Sequence, residues 1–170
     1  MAFNNTLTRT LDRLSFVPQA LRPAIISRIL GRVVPYVGTS GLIYEELKAE
    51  RVVVSLRNRR PVQNHIKGIH AAAMALLAET ASGFVVGMNL PDHSLPLIKS
   101  MKVEFLQRSV GHLRAVAQLT PEQIELLHTS AKGELRVQTQ VSDDSGGEPV
   151  RCEMIWAWVP KKRKAADQTQ

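Results

Sequence analysis

The sequence predicts an α+β fold, an antiparallel sheet of about six strands wrapped around one long central helix, with extra helices at the N-terminus. Three observations carry this. Residues Ala71 to Ala78 are wholly apolar within a helix-like stretch, and a helix apolar on every side must be buried on most of them. Segments alternating with period two stand on both sides of that stretch. Ahead of Pro35, apolar residues recur instead at helical spacing.

In chain order, Leu21, Ile25, Ile29 and Val33 repeat at i+4, and Pro18 and Pro23 split this region into two short helices docked on the rest. Its Arg-rich, acid-poor composition also matches a targeting or membrane-surface segment, the competing expectation. After Pro35 the pattern turns to alternation. Val52, Val54 and Leu56 mark a strand, with Leu42 to Lys48 as its hairpin partner. The central helix runs from about Ile69 to Val86, and Gly87, Asn89, Pro91 and Asp92 form a loop after it. Met101, Val103 and Phe105 mark the next strand, and Leu113, Ala115, Ala117 and Leu119 the one after. Thr120-Pro121-Glu122-Gln123 is a helix start, with Thr as N-cap, Pro at the first position and Gln three residues in. Leu135, Val137, Thr139 and Val141 alternate, Asp143 to Gly147 turn, and Val150 to Trp158 supply the last strand. The expected division is residues 1–36 as a helical extension, 37–160 as the α+β body and 161–170 as a basic polar tail.

The 170 residues suffice for a core without covalent staples. A single cysteine, Cys152, excludes an internal disulfide and fits a reducing compartment, so a cytoplasmic location is expected. No apolar run approaches the roughly 18 residues that a membrane-crossing helix needs. The net charge of +7 suits an anionic ligand, an anionic membrane surface or nucleic acid. Part of it lies in Lys161 to Lys164, read as a solubilising tail. Sparse aromatics leave little for base stacking, which disfavours nucleic acid.

The chemistry-bearing residues cluster in NHIKGIHAAAMALLAETASG, residues 64 to 83. Asn64 precedes His70 by six residues, Gly68 stands between them, and Glu79 follows His70 by nine, inside Leu77-Ala78-Glu79-Thr80-Ala81. This pattern resembles the hotdog-fold thioesterases, specifically the group that includes phenylacetyl-CoA thioesterase. Phe105-Leu106-Gln107-Arg108 with Gly111 resembles a second element of that family, on the strand after the helix. Two positions depart from the pattern. The Gly-Gly that follows the His is Ala71-Ala72 here, and the Arg-Pro of the strand element is Gln107-Arg108, so no substrate contact is carried over from that element.

The resemblance implies a hotdog fold and an acyl-CoA thioesterase, with Glu79 as general base or nucleophile. It also implies dimers that often pair into tetramers. Hydrolysis needs donors for the developing oxyanion, and a helix N-terminus supplies unpaired N–H groups. The donors lie near Gly68 to Ala71; alanine keeps its N–H, and Gly68 permits a tight turn. Nine residues are two and a half helical turns, so His70 and Glu79 lie on opposite faces about 13 Å apart. A shared site therefore needs one group from a second chain.

Each residue also has a plainer reading. Glu79 serves equally as a solvated or paired carboxylate, Asn64 as a cap, and His70 as a structural hydrogen-bonder. Thr80 and Ser82 read as packing or back-bonding residues. His65 and His70 lack further ligands at useful spacing, so no metal is expected. No separate cofactor is expected either, because coenzyme A is part of the substrate. Arg57, Arg59, Arg60, Lys67, Lys99, Lys102 and Arg108 are candidates for its phosphates. The competing functions are a hotdog hydratase or dehydratase and a non-catalytic acyl-thioester-binding protein.

Overall fold

The computed structural model describes residues 3–161. The tail expected at 161–170 thus lies outside the described residues, apart from Lys161, whose backbone N–H donates to His93 O.

Three helices come first: α1 (Thr6–Arg13), α2 (Arg22–Val33) and α3 (Pro35–Ser40). The hairpin β1 (Ile43–Leu47) and β2 (Arg51–Leu56) follows, then a single 3₁₀ turn at Arg60–Val62 and the central helix α4 (Ala71–Gly87). The remainder is β3 (Ser94–Phe105), β4 (Leu113–Gln118), α5 (Pro121–Thr129), β5 (Gly133–Asp143) and β6 (Val150–Pro160). The strands form one antiparallel sheet in the order β1-β2-β4-β5-β6-β3, and α4 packs against β2 to β6.

The period-two residues point where alternation requires. Val52, Val54, Leu56, Leu113, Ala115, Ala117, Val137, Val141, Met154 and Trp158 are buried in the core with Leu77, Ala78, Ala81 and Val85 of α4. Helix α5 carries the expected capping box: Thr120 accepts from the Gln123 N–H, and the Gln123 side chain accepts from the Thr120 N–H.

Three features differ from the sequence reading. Pro35 does not end the helical region. It occupies the first turn of α3, where a missing N–H costs nothing, and α3 stops at Gly41 in the left-handed conformation (φ 68°). Helix α2 docks through Ile26 and Leu30, whereas Leu21 and Val33 of the expected stripe face outward. The core-facing direction is fixed by contact with β1, where Ser27 Oγ accepts from the Tyr44 N–H at 2.9 Å. Strand β3 begins seven residues before Met101 and holds Pro96, which an edge strand tolerates. Its apolar side chains Leu95, Leu97, Ile98, Met101 and Phe105 are exposed, because this edge has no neighbouring strand among the described residues.

Helix α1 is tied down by polar groups. Asn5 caps it by accepting from the Thr8 N–H at 2.9 Å, and its Nδ2 donates to Gly87 O at 2.9 Å and Leu90 O at 2.8 Å. Asp92 accepts from the Thr6 N–H and from Arg9, both at 2.7 Å. These contacts fix α1 at the C-terminal end of α4.

Candidate active site

The start of α4 is built by a short tight loop. Asn64 N–H donates to Gly68 O at 2.9 Å and His70 N–H to Val62 O at 2.8 Å, closing an antiparallel bridge between Gln63 and Ile69. Asn64 Oδ1 fills the loop, accepting from the N–H groups of Ile66 at 3.1 Å and Gly68 at 3.0 Å. Lys67 sits at φ 62°, held from outside by Asn58 Nδ2 on its carbonyl at 3.2 Å. Arg108 donates to Ile66 O at 3.1 Å, so the segment after β3 touches this loop.

His70 is the N-cap. Its Nδ1 accepts from the Ala72 N–H at 3.0 Å, which leaves the ring proton on Nε2, and its carbonyl accepts from Ala73 and Met74. With the N–H groups of Gly68, His70 and Ala72 all engaged, those of Ile69, which is buried, and of Ala71 remain. Ala71 is exposed, and its N–H has no hydrogen-bond partner among the described residues. The helix start thus presents a free donor together with the positive end of the α4 dipole.

Glu79 lies farther along α4 and is half-buried. Burial pushes its carboxyl above the usual carboxylate range, and the neighbouring Thr80 hydroxyl pulls it back by less. Thr80 Oγ1 is itself buried and makes no hydrogen bond of good geometry, so burial sets the direction. Both residues line a cavity of about 400 Å³. Its floor is α4, where Glu79, Gly83 and Gly87 follow one another at four-residue steps. Pro96 to Ile98 of β3 and the Trp156 ring form its walls, and Leu7 of α1 and Val37 of α3 complete it.

Trp156 is placed by a short relay. Its Nε1–H donates to Ser82 Oγ at 2.9 Å, and the Ser82 hydroxyl donates to Glu79 O at 2.9 Å, the back-bonding role expected of that serine. Tyr44 on β1 stacks at a tilt on Phe84, with ring centroids 4.7 Å apart. Burial, reinforced by the charge of Glu79, raises its phenol, and its buried hydroxyl has no hydrogen-bond partner among the described residues.

The structure brings Asn64, Gly68, His70 and Ala71 together at the helix start and keeps Glu79 apart from them. None of the four lines the Glu79 cavity. The Glu79-Gly83-Gly87 step was present in the sequence as a four-residue spacing; the contributions of Leu7, Val37, Tyr44 and Trp156 carried no comparable signal. Among the described residues no group of three or more His, Cys, Asp or Glu could hold a metal ion. No helix among them is long and apolar enough to cross a membrane.

Residues 22–159 match the model of a family described as a domain of unknown function, DUF4442. The chain belongs to that family. The match takes in α2 through almost all of β6 and so contains both the helix start and Glu79. No curated protein matches. Among solved structures, a structural-genomics protein is 25% identical, with a TM-score of 0.71, covering 91% of this chain and 98% of its own. A protein of Pseudomonas aeruginosa described as of unknown function and a probable thioesterase is 21% identical (TM-score 0.68; coverage 81% and 95%). A thioesterase of Haemophilus influenzae is 11% identical (TM-score 0.64; coverage 79% and 90%). These likenesses establish a hotdog fold for this DUF4442 member.

Proposed function

We propose that the protein is an acyl-CoA thioesterase: acyl-CoA and water give the free acid and coenzyme A. The observation that carries this reading is Glu79, a half-buried carboxyl of raised pKa opening onto an apolar cavity. The spacing of Asn64, Gly68, His70 and Glu79, which resembles that of the phenylacetyl-CoA thioesterase group, supports it, as do structural relatives described as thioesterases.

In this reading the Ala71 N–H receives the thioester oxygen as it becomes an oxyanion. Asn64 shapes the loop through its two accepted hydrogen bonds, and His70 caps the helix so that Ala71 points outward. Glu79 takes a proton from water, or attacks the carbonyl carbon directly. A carboxyl raised by burial is a better base than an ordinary one. The departing thiolate needs little help, since a free thiol has a pKa of about 8.5. Exposed Arg60, Lys67 and Arg108 surround the helix-start loop and are placed to meet coenzyme A phosphates.

Donor and carboxylate stand about 12 Å apart along one helix, too far for a single carbonyl group. The active site is therefore shared by two copies, the Ala71 of one facing the Glu79 of the other. The unpaired β3 edge, with Leu95, Met101 and Phe105 exposed, suits a second copy, because a long apolar edge strand is otherwise prone to unwanted pairing.

The test is thiol release over a panel of acyl-CoA substrates with wild type, Glu79→Gln and Glu79→Ala. Loss of turnover in both variants is expected. Wild-type turnover that survives both substitutions removes Glu79 from the chemistry. Tight binding of acyl-CoA with no turnover by the wild type replaces this reading with that of a binding protein.

A further inference from the structure

We propose that the Glu79 cavity is a slot for a straight aliphatic acyl chain of medium length, closed at its far end by Gly87 and helix α1. This rests on the thioesterase reading and specifies its substrate.

The groove is partly open to solvent, and what sets it apart is its apolar lining rather than its volume of about 400 Å³. Its lining is apolar except at one end. There Glu79 is joined by Thr80, only 3% exposed, whose Oγ1 lies beside the Glu79 carboxyl but makes no hydrogen bond of good geometry among the described residues. A buried hydroxyl left unpaired costs stability in a plain core. At the mouth of an acyl slot it has a use, as a contact for the thioester or the attacking water.

The floor sets the dimensions. From Glu79 to Gly87 is eight residues of α4, about 12 Å of helix. An extended covalent chain advances roughly 1.2 Å per bond, since a residue of three backbone bonds spans about 3.3–3.6 Å. The slot thus takes roughly ten bonds, an acyl group of about eight to ten carbons. At Gly83 the Trp156 ring packs on the helix, so the path runs beside the indole, and beyond it Gly87 leaves the floor open, with no atom among the described residues within 4 Å of where its Cβ would sit. An arylacetyl group would fill only the half nearest Glu79.

The end stop is Leu7 of α1. Its position is not incidental, because Asn5 binds the carbonyls of Gly87 and Leu90, fastening α1 across the end of the slot.

The experiment measures binding and turnover separately on the full chain. Binding of non-hydrolysable alkyl-CoA thioethers, from butyl to hexadecyl and including a phenethyl analogue, is followed by calorimetry, and thiol release is followed with the matching thioesters. Wild type, Gly87→Leu and Leu7→Ala are compared, each checked for folding by circular dichroism. Wild type is expected to bind the octyl and decyl probes best. Gly87→Leu should shift the ratio of decyl to butyl affinity towards butyl by roughly tenfold or more, the discrimination that a few methylenes provide. Leu7→Ala should move the optimum towards longer chains. A flat length profile, a phenethyl preference, or an unchanged ratio in folded Gly87→Leu overturns the slot. Length-dependent binding with no thiol release upholds the slot while refuting the thioesterase reading. Thiol release with a flat length profile does the reverse.

Discussion

Replacing Gly83 and Gly87 separately by alanine makes the same chemical change four residues apart on one helix, and the structure assigns the two changes opposite signs. A Cβ on Gly83 would stand 2.7 Å from both Cη2 and Cζ2 of Trp156. The indole is rigid, is only 6% exposed, and is anchored through its N–H to Ser82 Oγ at 2.9 Å. Making room forces the ring off that anchor. Overpacking costs about 1–3 kcal/mol and the hydrogen bond about 1 kcal/mol, against a gain of about 1 kcal/mol from the better helix former. The net loss is about 1–3 kcal/mol. At Gly87 the new methyl meets nothing within 4 Å, so only the propensity gain remains, up to about 1 kcal/mol and less at this last turn. Urea unfolding of both variants at one protein concentration measures the gap. At about 2–4 °C per kcal/mol, melting temperatures should differ by something on the order of 5–10 °C. Equal stability, or a Gly83→Ala protein above Gly87→Ala, would refute the packing of Trp156 on α4 as described.

Glu79→Gln should stabilise the protein at neutral pH. The native carboxyl titrates above its unfolded value, so its favourable contribution is complete below a pH of about 4.3 and is lost as pH rises through the folded pKa. The stability gap between variant and wild type should therefore open from mildly acidic to neutral pH in parallel urea titrations, and a gap independent of pH counts against the burial of that charge. Asn5→Ala removes the α1 cap and both carbonyl contacts, costing about 1–2 kcal/mol and exposing α1 to limited proteolysis before the rest of the chain. Met101→Asp places a charge on the open β3 edge and should convert the proposed dimer to monomer by sedimentation; a dimer that persists would move the interface elsewhere.

What the sequence made legible follows the range of the forces involved. The strands at Val52 to Leu56, Leu113 to Leu119 and Leu135 to Val141 declare themselves because period-two burial is written in neighbouring residues. The α5 capping box is equally local. Strand β3 was half legible, since its first residues are apolar on both sides and show no alternation at a sheet edge. The docking face of α2 was misplaced because Ile26-Leu30 and Leu21-Ile25-Ile29-Val33 are both valid i+4 series; only contact with β1 selects one. At the site, the helix-start residues stood out because Asn64, Gly68 and His70 resemble a hotdog thioesterase motif. The cavity does not, since Leu7, Val37, Pro96 and Trp156 come from four elements distant in the chain. Asn5 is the extreme case: its partners at Gly87 and Leu90 lie 82 and 85 residues away.

The way α1 is attached has a kinetic consequence. Its largest tie to Asp92 is the Thr6 N–H, followed by Arg9, and together these hold that carboxyl down to about 2. The Arg9 pair is nearly half exposed on each side, so salt weakens it while leaving the buried sheet untouched. Elements held by few buried contacts open by themselves at a small fraction of the global unfolding energy. Helix α1 is therefore the hinged stopper of the molecule, and amide exchange over Thr6 to Arg13 should quicken with ionic strength while exchange in β4 and β5 does not. Any molecule lodged against Leu7 would then have a residence time governed by how often eight residues let go.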